Sequence, residues 1–77
     1  MTPGFESKDA KQAIAHIIEE CGEVLAAAGK TFRFGPQSTN PLIPECDRET
    51  NQDWFERELA DLELSIRAYW QLSRGAK

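Results

Sequence analysis

Residues 13–28 read AIAHIIEECGEVLAAA, and their pattern decides the fold class. Apolar residues recur there at intervals of three and four, which is the period of an α-helix. The same spacing continues on both sides, so the sequence predicts a helix over residues 7–34 with Ser7 as its N-cap. Gly35 and Pro36 end it. Its apolar stripe consists of Ala10, Ala13, Ile14, Ile17, Ile18, Cys21, Val24, Leu25, Ala28 and Phe32.

A second helical pattern covers residues 51–73, with Thr50 or Asn51 as the expected N-cap. Between the two patterns, residues 35–50 contain three prolines among small polar residues, which predicts a long loop. The stripe of the second helix consists of Phe55, Leu59, Leu62, Ile66, Tyr69 and Trp70. The sequence therefore predicts an all-α chain, with residues 1–77 forming one domain built as a helical hairpin.

The length of the chain predicts a need for support. A chain of 77 residues buries only about 60% of its unfolded surface, and domains this small rely on disulfides, a metal or oligomerisation. Two cysteines make no disulfide scaffold, and no Cys/His cluster has zinc-ligand spacing. Each helix also carries a second stripe that one hairpin partner cannot cover. These stripes are Ala15, Gly22 and Ala26, and Ala60, Leu64, Ala68 and Leu72. We expect a homodimer or higher homo-oligomer that completes a four-helix-type bundle, with tolerated surface alanine as the alternative.

The charge balance limits the class of partner. Nine Lys and Arg against thirteen Asp and Glu give a net charge of −4, which disfavours nucleic acid. No apolar run approaches the roughly 20 residues that span a bilayer, so no membrane partner is expected. The N-terminus has neither the basic nor the apolar region of a signal peptide, and the predicted location is the cytoplasm.

Four carboxylates form two pairs at helical spacing. They are Glu20 and Glu23 on the first helix and Glu58 and Asp61 on the second. Residues three apart are neighbours on a helix surface, and antiparallel packing would bring the two pairs together. Four facing carboxylates repel strongly unless a cation lies between them, and oxygen ligands in this number suit Mg²⁺ or Mn²⁺. A solvated acidic face is the alternative, but the first helix has no basic residue between Lys11 and Lys30 to offset its acids.

The order of the acids also resembles a known signature. Glu19-Glu20-Cys21-Gly22-Glu23, followed by Glu58-Leu59-Ala60-Asp61, resembles the Glu-Glu-x-x-Glu … Glu-x-x-Asp signature of the all-α nucleoside triphosphate pyrophosphohydrolases. This superfamily includes MazG and the dimeric dUTPases. Residues 29–35 and the Thr50-Asn51 pair are similar to those of the small MazG-like members. The resemblance covers roughly residues 14–66.

The resemblance implies Mg²⁺-dependent hydrolysis of a nucleoside triphosphate between its α- and β-phosphates, which yields a nucleoside monophosphate and pyrophosphate. The implied metal ligands are Glu20, Glu23, Glu58 and Asp61. Glu19 matches the first acid of the motif and is the candidate catalytic residue, which orients the attacking water or takes its proton. The segment between the two motifs is longer than is usual in the family, so the loop is an insertion or a lid. Glu63 departs from the apolar residue that usually follows the second motif.

Further polar residues are candidates for contact with the substrate. Lys30 and Arg33 can bind phosphate oxygens or stabilise a helix C-terminus. Asn51 can contact the nucleotide or cap the second helix. Trp54 can stack on a base or belong to the core, and His16 is expected to be partly exposed. Two other functions stay open, namely a non-enzymatic helical interaction or regulatory module, and a family member that binds nucleotide without turnover.

Overall fold

The computed structural model describes residues 8–75, which form two antiparallel helices joined by a long loop. Helix α1 comprises Ala10–Phe34, and helix α2 comprises Asn51–Gly75. A single 3-10 turn, Glu45–Asp47, lies within the loop. No β-strand occurs within residues 8–75, which confirms the prediction of an all-α chain for this part of it. Neither of these helices has an apolar stretch that could cross a bilayer.

Local hydrogen bonds define the helix ends. Asp9 caps α1, because its carboxylate accepts a hydrogen bond of 2.8 Å from the backbone N–H three residues later. Ser7, the expected cap, lies outside the described residues. Gly35 follows α1 with a φ of 96°, a backbone conformation that favours glycine. Thr50 caps α2, since its hydroxyl accepts a hydrogen bond of 3.1 Å from the N–H three residues later.

The loop, residues 35–50, is held against the helix ends by hydrogen bonds. The first two N–H groups of α2 donate to the carbonyl oxygens of Ser38 and Pro36, at 2.8 and 2.9 Å. The guanidinium of Arg48 donates to two carbonyl oxygens of the same loop, at 2.7 and 3.1 Å. The loop therefore has a defined path beside the junction of the two helices.

The contact between α1 and α2, which we call the seam, is polar at its centre. Its buried residues recur at intervals of three, four and seven, as on one face of a helix. They are Ala13, His16, Glu20 and Ala27 on α1, and Asn51, Glu58 and Ser65 on α2. The half-buried flanking residues include Ile17, Val24, Phe55, Leu62, Tyr69 and Leu72. Among the residues that the structure describes, only two alanines are therefore buried apolar side chains.

The predicted apolar stripes do not form the centre of this contact, and that expectation is wrong. Many of their members are exposed, as is Leu64 of the second stripe of α2, and we call these side chains the outer apolar residues. On α1 they are Ile14, Ile18, Leu25 and Phe32, and on α2 they are Leu59, Leu64, Ile66 and Trp70. Each helix is turned so that the carboxylates lie at the centre of the seam, which moves about half of the stripe away from the partner helix.

Candidate functional site

Three carboxylates meet in the middle of the seam. Glu20 from α1 and Glu58 and Asp61 from α2 each offer one oxygen, and these oxygens lie within 4.8 Å of one another. Glu20 and Glu58 are 3% and 4% exposed, and Asp61 is half-buried. A cation with ligands at about 2.0–2.6 Å keeps opposite ligands about 4–5 Å apart. The spacing of the three oxygens is therefore within the range that one bound cation requires.

Glu23 adjoins this group from α1. Its pKa is raised to about 7, first by a hydrogen bond with Glu58 and then by burial and by the charge of Glu20. A hydrogen bond between two carboxyl groups requires a proton, so Glu23 holds one up to near neutral pH when no cation is bound. The structure thus brings together all four carboxylates that the sequence suggests as metal ligands. We refer to Glu20, Glu23, Glu58 and Asp61 as the acidic cluster.

The two oxygens of Glu58 differ in their contacts. One accepts a hydrogen bond of 3.0 Å from the guanidinium of Arg57. The other, Oε2, is buried and has no hydrogen-bond donor among the described residues while Glu23 is ionised. A buried carboxylate oxygen without a donor is unfavourable, because it has lost its water without gaining a partner. A cation would supply that partner, and a set of carboxylate oxygens fits Mg²⁺ or Mn²⁺.

Glu19, the candidate catalytic residue, is exposed on α1 and is not part of the group of oxygens described above. This agrees with the turn of about 100° between successive helical residues, which directs neighbouring side chains differently. Its place next to Glu20 in the sequence leaves it at the solvent side of α1.

A cleft of about 720 Å³ opens between the helix junction and the loop. Its size is within the range of about 300–1,000 Å³ that is common for small-molecule sites. Phe34, Trp54 and Arg57 are among the residues that line it, as are the candidates Lys30 and Asn51. Because the guanidinium of Arg57 also contacts Glu58 of the acidic cluster, the cleft lies directly beside that cluster.

Lys30 and Arg33 differ in their relation to the cleft. Both cations lie near the ring of Phe34, with distances to the ring centroid of 5.3 Å for the Lys30 ammonium and 5.8 Å for the Arg33 guanidinium. Lys30 also lines the cleft, whereas Arg33 is not among the lining residues of the described chain. Of the two, Lys30 is the better placed for a ligand in the cleft.

Asn51 acts mainly as a clamp between the two helices. Its side-chain amide donates to the carbonyl oxygens of Lys30 and Gly35, at 3.4 and 3.2 Å. Its own backbone carbonyl accepts a hydrogen bond of 3.1 Å from the hydroxyl of Thr31. Both amide hydrogens thus have protein partners, and the side-chain oxygen Oδ1 is the atom through which Asn51 can contact a nucleotide.

Sequence reasoning missed Arg57. Its guanidinium lies 2.6 Å from Glu49 in the loop and 3.0 Å from Glu58 in α2. One signal was present, because Arg57 stands four residues before Asp61, a spacing at which opposite charges interact on a helix. The contact with Glu49 had no such signal, since it depends on the path of the loop.

His16 was also misjudged, since it is buried rather than partly exposed. It follows Ala13 by three residues and precedes Glu20 by four, so its spacing places it on the seam face of α1. The periodicity of the buried residues was therefore a better guide to its burial than its polarity.

The chain matches no protein-family model, no curated protein and no solved structure. The resemblance of its acidic motifs to a known signature rests on the quoted residues alone. The geometry of the acidic cluster and its neighbouring cleft is what supports a function.

Proposed function

We propose that this chain is a Mg²⁺-dependent nucleoside triphosphate pyrophosphohydrolase, which cleaves its substrate between the α- and β-phosphates to give a nucleoside monophosphate and pyrophosphate. The observation that carries this proposal is the convergence of carboxylates from two helices at the seam, where Glu20 and Glu58 are buried, Asp61 is half-buried and Glu23 adjoins them from an exposed position. A merely solvated acidic face would keep its charges in water. Burial of Glu20 and Glu58 beside Asp61 concentrates negative charge at the seam, which a divalent cation would offset, so their position favours a metal site over an interaction module with a charged surface.

Each residue of the acidic cluster has a role in this proposal. Glu20, Glu58 and Asp61 would hold the cation, and Glu23 would join them after losing its proton. When bound, the cation supplies positive charge that offsets the phosphate chain and polarises the attacking water. Glu19 would orient that water or accept its proton.

The cleft is proposed to hold the nucleotide. Lys30 and Arg57 line it with positive charge next to the acidic cluster, which suits a phosphate chain. Trp54 and Phe34 line the same cleft and offer aromatic surface to a base. Arg33, at the end of α1, is the outermost candidate for a phosphate contact and remains the least supported of the substrate-binding residues.

We also infer that the functional form is a homodimer or a larger homo-oligomer that completes a four-helix-type bundle. The outer apolar residues support this, since Leu25 is 73% exposed and Phe32 is 94% exposed. The radius of gyration is 14.7 Å, whereas a compact domain of this length has about 11.5 Å. Such an elongated hairpin gains stability from burying its outer residues against a second copy. Both cysteines are free, in keeping with the proposed cytoplasmic location.

The proposal is tested by measuring pyrophosphate release from a panel of canonical and modified nucleoside triphosphates, with and without Mg²⁺. We expect Mg²⁺-dependent turnover of at least one substrate. Glu23→Gln and Asp61→Asn should each reduce it by at least about 100-fold while helicity is retained, because metal ligands contribute more than the 10- to 100-fold typical of their supporting residues.

Glu63→Gln is the matched control. Glu63 is exposed on α2 only two residues beyond Asp61, so its substitution removes the same charge outside the cluster. It should keep nearly full activity. No turnover of any substrate, at a protein concentration where the oligomer forms, would contradict the enzyme and favour nucleotide binding without turnover or an interaction module.

A further inference from the structure

Arg57 has two carboxylate partners on opposite sides. On one side its Nη1 donates to Oε1 of Glu58 in the acidic cluster, at 3.0 Å. On the other side its Nη2 and Nε contact the two oxygens of Glu49, at 2.6 and 3.4 Å. Glu49 thus uses both oxygens on one edge of the guanidinium, which is the arrangement in which a carboxylate or a phosphate pairs with arginine.

Arg57 and Glu49 both line the cleft. Lys30, Glu49 and Arg57 are the charged residues among those that line it. Glu49 is therefore the one acid in a lining that otherwise carries positive charge. The Arg57 and Glu49 side chains are 53% and 41% exposed, so water and dissolved anions can reach the contact between them.

We propose that Glu49 is an internal competitor, whose carboxylate occupies the position on Arg57 that a phosphate group takes when a polyphosphate anion binds in the cleft. This inference rests on the proposed function, since the anion it assigns to the cleft is the phosphate chain of the nucleotide. A carboxylate and a phosphate can occupy the same position, because each presents two oxygen acceptors at a spacing that fits two parallel N–H groups of a guanidinium.

The second partner of Arg57 makes the exchange depend on the acidic cluster. In the described structure the guanidinium offsets part of the charge of Glu58. A divalent cation held by the cluster would offset that charge instead and would weaken the attraction between Glu58 and Arg57. Arg57 is then available to the anion in the cleft once Glu49 leaves. Metal binding and anion binding should accordingly favour one another, which links the two parts of the site.

The test is the binding of inorganic pyrophosphate in the presence of Mg²⁺, measured by isothermal titration calorimetry on the full chain. This probe is the product of the proposed reaction and needs no turnover. Glu49→Gln should tighten binding by about two- to fivefold, because an ion pair this exposed contributes little free energy. Arg57→Gln should weaken binding by about tenfold or more, because hydrogen bonds to charged groups are the stronger ones.

The double variant identifies the mechanism. If Glu49 acts through Arg57, Glu49→Gln should have no effect on pyrophosphate binding once Arg57→Gln is present. Glu45→Gln is the control for charge, since Glu45 is an exposed acid of the same loop and does not line the cleft. Glu45→Gln should change the affinity for pyrophosphate by less than Glu49→Gln does. Arg67 is an exposed arginine of α2, and Arg67→Gln is the control for the loss of a positive charge. It should not weaken binding as Arg57→Gln does.

Two results would overturn the inference. One is equal tightening by Glu45→Gln and Glu49→Gln, which would show a general charge effect. The other is tightening by Glu49→Gln that persists without Arg57. The failure of the proposed function is a separate outcome. If the protein shows the predicted binding pattern but hydrolyses no nucleotide, the role of Glu49 as internal competitor is supported and only the proposed catalysis is contradicted.

Discussion

The seam between the helices is rich in polar side chains, whereas the outer surface of the hairpin is rich in large apolar ones. The seam buries His16, Glu20, Asn51, Glu58 and Ser65, whereas large apolar side chains are exposed outside. In an ordinary helical hairpin the apolar residues would occupy the seam and the acids would be in water. This difference supports the proposal that the seam is a binding site. The exposed apolar side chains are the basis of the proposal that the outer surface packs against another copy of the chain.

The outer surface gives the largest expected effect. Leu25→Lys places a charge among the outer apolar residues of α1. We expect it to dissociate the proposed oligomer and to reduce helicity, because only two alanines are buried apolar side chains in the described part of a single chain. Sedimentation and circular dichroism measure the two effects. Gln71→Lys, on an exposed polar position of α2, is the control and should leave both unchanged. A stable, fully helical Leu25→Lys monomer would show that the hairpin needs no partner.

The second-largest effect on stability is expected at Asn51, which holds the two helices together at one end of the seam. Asn51→Ala removes the donors of two carbonyl oxygens, those of Lys30 and Gly35, and should lower the free energy of unfolding by about 2 kcal/mol. Urea unfolding measures the change. The neighbouring variant Gln52→Ala alters an exposed side chain and should cost far less. Equal effects of the two substitutions would mean that Asn51 does not hold the helices together.

In the middle of the seam, a substitution of Glu58 should raise the free energy of unfolding instead of lowering it. Glu58→Leu replaces a buried carboxylate by an apolar side chain of similar size and should stabilise the metal-free protein by about 1–2 kcal/mol. It should also abolish any stabilisation by Mg²⁺. Urea unfolding with a chelator, and again with Mg²⁺, measures both. Glu63→Leu on the exposed side of α2 should show neither effect, and a destabilised Glu58→Leu would indicate that Glu58 serves the fold.

The edge of the acidic cluster gives the smallest effect. Because the pKa of Glu23 is raised to about 7 in the folded protein from an ordinary value of 4.5, its contribution to stability is greatest below pH 4.5 and is lost as the pH rises through 7. In metal-free buffer, the wild-type melting temperature should therefore fall more between pH 5 and pH 8 than that of Glu23→Gln. Parallel curves for the two proteins would show that Glu23 titrates normally.

The helices and the membership of the acidic cluster were accessible from the sequence, but the rotation of each helix was not. Periods of three and four residues define α1 and α2, and the same periodicity places Glu20 with Glu23 and Glu58 with Asp61. Apolar residues cover more than one side of both helices, so periodicity alone could not tell which side faces the seam. The structure assigns that side to the carboxylates, together with half-buried members of the stripes such as Ile17 and Leu62.

Contacts that depend on the loop were beyond sequence reasoning. The pairing of Arg57 with Glu49 requires the path of residues 35–50, which follows from backbone hydrogen bonds to the start of α2. The double use of the Asn51 amide also depends on how Gly35 turns the chain at the end of α1. The spacing of residues along a helix cannot predict such contacts, because the folded loop brings their partners together from distant parts of the sequence.

Titration of Mn²⁺ into the metal-free protein at pH 8, followed by calorimetry, tests the proposal that the seam binds a divalent cation. We predict saturable binding by the wild type and by Glu63→Gln, with a gain of about 2.7 kcal/mol in the free energy of unfolding at an ion concentration 100 times the dissociation constant. Glu58→Gln and Asp61→Asn should lose both the binding and the gain. Equal binding by all four proteins, or no saturable binding by the wild type, would contradict the proposal.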